Sequence, residues 1–251
     1  ICLQHDRSTS PLRNAATARG NAHAHARDGS RTGANSVTEN GRRRDIWPEP
    51  EQWRAYALFM VRFYLVFFPV YFGAGYLTDG SGRALDLFLS VETGIPLIPW
   101  MMIPYLSLFP LFLLPLFHLP PGQLKILSQQ STAALAVAGT LFVLLPGRLG
   151  FPPPQVSGWL VPAFDIVAAV DTKHNLVPSL HVTFAALILI GSAQQATPAV
   201  RSIYRVWLAV MMAATVFVHQ HHLIDIAAGL ALAVAVRRIW PMNAGAMSVR
   251  A

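Results

Sequence analysis

Two short stretches hold most of the side chains in this chain that can do chemistry. The first runs from Lys173 to His181 as Lys-His-Asn-Leu-Val-Pro-Ser-Leu-His and leads straight into an apolar run. The second, Val218 to Asp225, reads Val-His-Gln-His-His-Leu-Ile-Asp. His221 and Asp225 are four apart, so on a helix they share one face. A carboxylate placed there accepts the Nδ1–H of His221, fixing its tautomer and leaving Nε2 as a lone-pair nucleophile. His222 and Asp225, three apart, are a second-choice pair. In the first stretch Pro178 sits where a helix can begin, and Ser179 offers a hydroxyl beside the free N–H groups that make a helix start attractive to phosphate. His181, on the first turn, can act as a general acid. Lys173 and Arg148 lie in the same segment and can neutralise anionic oxygens. Together these groups suit phosphoryl transfer through a phosphohistidine, one histidine attacking phosphorus in line while the other protonates the leaving alcohol. His219 and His222 read as secondary contacts or bystanders, and the roles of His174 and Asn175 stay open.

Plainer readings compete. His221 and Asp225 alone read equally well as a solvated helix cap. The histidines of the second stretch also raise a metal site, since His is the commonest metal ligand. The chain has a single cysteine, Cys2, and few acids besides Asp225 lie near that stretch. The expectation is therefore no metal and no cofactor.

These stretches must be positioned by apolar elements. Of the 251 residues, 53% are hydrophobic and 12% charged, about half the charge of an ordinary soluble domain. The composition points to an all-α, polytopic membrane bundle. A helix crossing about 30 Å of hydrocarbon needs roughly 20 apolar residues. The candidates are Tyr56–Leu77, Ile98–Leu119 with Pro104, Pro110 and Pro115 inside it, Leu127–Pro146, Leu180–Ala193, Ile203–Val218 and Leu223–Val236, about six spans. Residues 1–46, rich in Arg, Ala, Asn, Gly and Ser, read as a disordered basic tail. Residues 47–240 form the membrane domain and 241–251 a short second tail.

Cations orient the bundle. With the N-terminus in the cytoplasm, the inner flanks carry Arg42, Arg43, Arg44, Arg54, Lys125, Arg201, Arg205, Arg237, Arg238 and Arg250, against Arg83, Arg148 and Lys173 outside. Both termini fall inside and both polar stretches outside. His221 follows His181 by 40 residues, enough for one helix in and one back, which returns the two stretches to the same face. A basic excess of this kind implies contact with anionic lipid rather than nucleic acid.

The "PSLH" of residues 178–181, followed by the "HHLID" of 221–225, resembles the second and third motifs of the type 2 phosphatidic acid phosphatase superfamily. "LFVLLPGRLGFPPP" (141–154) and "IPLIPWMMIPYLSL" (95–108) are similar to its bacterial branch near inositol phosphorylceramide synthase. The resemblance covers about residues 55–240. It implies a phosphatase-like core of membrane helices, a lipid phosphate as substrate, membrane lipids as partners, no metal, and a site on the periplasmic face of a bacterial cell membrane. By motif, His221 corresponds to the nucleophile, Asp225 to its orienting acid, His181 to the acid that protonates the leaving group and Ser179 to the phosphate-binding serine. The chain departs from the motifs twice. "FPPP" places Pro153 or its neighbour where an arginine is usual, with Arg148 a candidate substitute, and Ala214 and Thr215 stand where the third motif opens with Ser-Arg. The expected function is a lipid phosphatase or phosphotransferase. The alternatives are head-group transfer to a lipid alcohol and a non-catalytic membrane protein of the same fold.

Overall fold

Helix α1, Pro50–Asp79, opens on a proline, whose missing N–H costs nothing in a first turn, and carries Glu51 at the positive end of the helix dipole. The computed structural model that contains it describes residues 47–242. The readings of residues 1–46 and of the tail beyond Met242 lie outside the described residues. At 30 residues, α1 is about 45 Å long. One face buries Tyr56, Phe59, Phe63 and Ala74, while Leu58, Leu65, Phe68 and Phe72 are exposed. An apolar face left outside a bundle fits hydrocarbon surroundings.

The expected second span is helical but broken. A 3₁₀ turn at Pro99–Met101 leads into α2 (Met102–Leu106), α3 (Leu108–Leu111) and α4 (Leu114–His118). Carbonyls left without a helical donor at the break before α4 and at its end are taken up by α1. Tyr56 Oη donates to the Phe112 carbonyl at 3.2 Å, and Gln52 Nε2 to those of Leu116 and Leu119 at 2.5 and 3.0 Å. Ser107 caps Pro104 through its hydroxyl, which in turn accepts from the Trp207 indole at 3.1 Å.

Helix α5, Pro121–Leu144, packs along α1. Gly139 permits this, because a Cβ there would strike Val70. The segment after α5 holds an element outside the six expected spans, a 3₁₀ turn running into α6, Val161–Val170. Helix α7, Leu180–Ala193, is enclosed nearly all round by α3, α4, α5, α8 (Pro198–Phe217) and α9 (Leu223–Ile239). A helix apolar on every face is a core helix. Its 14 residues measure about 21 Å, short of a bilayer's hydrocarbon. Phe184 of α7 anchors the centre against Phe63 and Phe112, its ring centroid 5.0 Å from that of Phe63.

Among the described residues the elements are helical, without strands, apart from one isolated bridge between Leu85 and Gly147. Three helices, α1, α5 and α8, are long and apolar enough to cross a membrane.

Candidate functional site

The site forms where α7 and α9 begin, because their first turns are cinched together. The Ser179 N–H donates to the Asp225 carbonyl at 3.0 Å. Thr183 Oγ1 bridges the two helices, lying 2.8 Å from the Ser179 carbonyl and 3.1 Å from that of Gly229. Gly229 is required by this approach, since a Cβ would stand 2.6 Å from the Ser179 carbonyl oxygen. Ser179 follows the cis Val177–Pro178 peptide and caps α7, its hydroxyl accepting from Val182 N–H at 3.4 Å. It is fully buried.

This crossing carries the two histidines together. The His181 and His221 ring centroids lie 6.5 Å apart. His221 Nδ1 is 3.2 Å from Asp225 Oδ2, and both residues are buried. The same oxygen accepts the His222 N–H at 2.8 Å, so Asp225 also caps α9. A turn fixes His221 from the other side, Thr215 accepting the N–H groups of both Gln220 and His221 at 3.1 Å. Thr215 itself is buried, its hydroxyl committed to Met212. The position where the family pattern has an arginine therefore faces the packed interior here. His181 stacks flat on Tyr105, centroids 4.0 Å apart, and its Nε2 is buried with no hydrogen-bond partner among the described residues. Buried polar nitrogens are nearly always paired; this one, in a ring centred 6.5 Å from that of His221, is open among the described residues.

Over these groups lies a strap that sequence reasoning missed. Glu92, in a 3₁₀ turn at Ser90–Gly94, is buried. It accepts from Leu89 N–H at 3.0 Å, Leu223 N–H at 2.8 Å and His222 Nδ1 at 3.1 Å. His222 Nε2 accepts from Gly150 N–H at 3.0 Å, which assigns the proton to Nδ1. The His222 ring lies between Phe88 and Phe151, centroids 4.5 and 4.4 Å away, and Phe151 also covers His219. Burial pulls the Glu92 carboxyl upward, but the N–H groups of Leu223 and Leu89 and the His222 ring outweigh it and hold it below the usual carboxylate range. His219 adopts a positive φ of 60° and bonds the Ile95 carbonyl at 2.9 Å; burial lowers its pKa. Glu92, Phe88, Phe151 and Tyr105 carry no local sequence signal, because their partners lie far along the chain.

The expected phosphate-binding cations stand apart from this buried cluster. Arg148 grips Asp86 with two bonds, Nε at 2.7 Å and Nη2 at 2.6 Å, and its side chain is 60% exposed. The bond from Arg148 holds the Asp86 carboxyl below its ordinary range and raises Arg148 in return. Lys173 pairs with Asp79 at 3.0 Å and is 76% exposed. Asn175 serves the scaffold, Nδ2 donating to the Tyr71 carbonyl at 2.7 Å, while its buried Oδ1 has no partner among the described residues. His174 is tied to the Gly147 carbonyl at 2.8 Å. Asp171 takes the Tyr71 hydroxyl. Among the described residues no group of three His, Cys, Asp or Glu side chains is placed to hold a metal.

Compared with known proteins, the chain matches no protein-family model and no curated protein.

Proposed function

We propose that this chain is a membrane phosphatase or phosphotransferase that acts on a lipid phosphate through a phosphohistidine on His221. One observation carries the reading. Two histidines 40 residues apart in sequence have ring centroids 6.5 Å apart, one aligned by a buried carboxylate and the other presenting a buried Nε2 without a partner among the described residues. Asp225 takes the Nδ1–H of His221, so Nε2 attacks phosphorus. His181 delivers a proton to the departing alkoxide. The phosphoenzyme is then resolved by water or by a lipid alcohol, with His181 returning as base.

Arg148 and Lys173 supply positive charge once they exchange Asp86 and Asp79 for the phosphate. Exposed ion pairs of this kind exchange readily. The chain crosses the membrane six times in this reading, with both termini inside and the histidines at the outer face. The resemblance of 178–181 and 221–225 to the type 2 phosphatidic acid phosphatase motifs supports the same assignment.

The test is phosphate release by the purified protein from a panel of lipid phosphates, with and without a lipid alcohol present. Release or transfer that vanishes in His221→Ala supports the reading. A panel without turnover, or equal turnover in the variant, rejects it.

A further inference from the structure

At the opposite end of α7 the bundle opens a second polar feature that phosphoryl transfer does not use. The end of α7 and the start of α8 enclose a cleft of about 370 Å³. Its floor is apolar, with Ile190, Leu208 and Met242, and its rim carries Gln194, Arg201 and Arg205. Arg201 spends Nε on the Ala193 carbonyl at 3.1 Å and Nη2 on that of Ala196 at 3.4 Å, which caps α7 and holds the guanidinium at the rim. Arg205 is one turn further along α8, exposed, and has no ion-pair partner among the described residues. A third arginine stands behind. With its amide turned to satisfy both neighbours, Gln194 donates to the Met242 carbonyl at 3.1 Å and accepts from Arg237 Nη2 at 2.9 Å. Arg237 Nη1 is buried beside Gly191 without a partner among the described residues.

Three guanidinium groups gathered without a described carboxylate call for an anion. The apolar floor excludes a fully hydrated one. Both conditions are met by one amphipathic ligand, with its phosphate at Arg201 and Arg205 and its acyl chains on Ile190, Leu208 and Met242. The cation count places this end of the bundle on the cytoplasmic side, where anionic lipids collect. We propose that the cleft between α7 and α8 is a binding site for an anionic phospholipid of the inner leaflet, separate from the histidine site. It rests on the membrane reading alone.

Purified full-length protein is placed in phosphatidylcholine nanodiscs containing a minor fraction of phosphatidylglycerol, and retained lipid is counted by native mass spectrometry. Phosphatidylglycerol should be retained over phosphatidylcholine. Arg205→Gln, which breaks no described bond, should weaken that retention about fivefold, and adding Arg201→Gln should weaken it further. The same change at Arg54, another inner-end cation, should leave it unaltered, as should His221→Ala. Inorganic phosphate should not displace the lipid. Equal retention of both lipids, wild-type retention by Arg205→Gln, equal loss in Arg54→Gln or displacement by inorganic phosphate would each overturn the site.

Discussion

His221 owes its proposed role to one contact, the 3.2 Å approach of Nδ1 to Asp225. His221→Ala should abolish turnover. Asp225→Asn frees the wrong tautomer and should cut the rate at least about a hundredfold, measured as kcat on the best lipid phosphate. His181→Ala should hurt most with poor leaving groups, because His181 protonates the departing oxygen, and should partly spare nitrophenyl phosphate. His222 behaves differently. From sequence it is a bystander whose loss costs less than about tenfold in rate, roughly 1.4 kcal/mol. In the structure both ring nitrogens are bonded and both faces are covered by phenylalanines. His222→Ala should therefore lower unfolding stability by about 2–3 kcal/mol, read from chemical denaturation in detergent. Normal stability in that variant would contradict the strap. The pairing of His221 with Asp225 was legible because four residues is one helical turn. The pairing of His222 with Glu92 was not, because nothing local marks a partner 130 residues away.

At the scale of elements, the crossing of α7 and α9 decides the site. Gly229→Ala puts a methyl 2.6 Å from a carbonyl oxygen. Backbone cannot step aside as a side chain can, so the helices must part, at a cost of about 1–3 kcal/mol. Turnover should fall with it, since His181 and Asp225 ride on the two helices. The strap gives a pH dependence. The folded Glu92 carboxyl lies below its ordinary range, so its contribution is complete above the unfolded value, about 4.3, and is lost as pH falls through the folded one. Thermal midpoints followed from neutral to acid pH should drop less steeply in Glu92→Gln than in wild type. Hydropathy located the three long helices, α1, α5 and α8, to within six residues at either end, because a long apolar run shows in composition alone. It misread Ile98–Leu119 as continuous and missed α6. Three prolines segment the former, and the 10 residues of α6 fall below the length that marks a span.

For the whole molecule, the orientation proposed from the arginine bias puts the ends of α7 and α9 in the cytoplasm. Hydrogen bonds tie Gln52 and Tyr204 to α4 through Leu116 and His118 and join Gln130 to Trp240, while Glu92, Gly150 and His222 are tied together beside the histidine pair. In a Cys2→Ser background, an impermeant thiol reagent added outside intact cells should label a cysteine at Gln155 and miss one at Thr197, both exposed positions. The reverse pattern would invert the bundle. The central claim is the covalent intermediate. Rapid acid-free quenching of enzyme mixed with a lipid phosphate, followed by peptide mass spectrometry, should find one phosphoryl group on the peptide holding His221, absent in His221→Ala. Turnover in the wild type with no phosphorylated peptide, or with the phosphoryl group on another residue, would contradict the account.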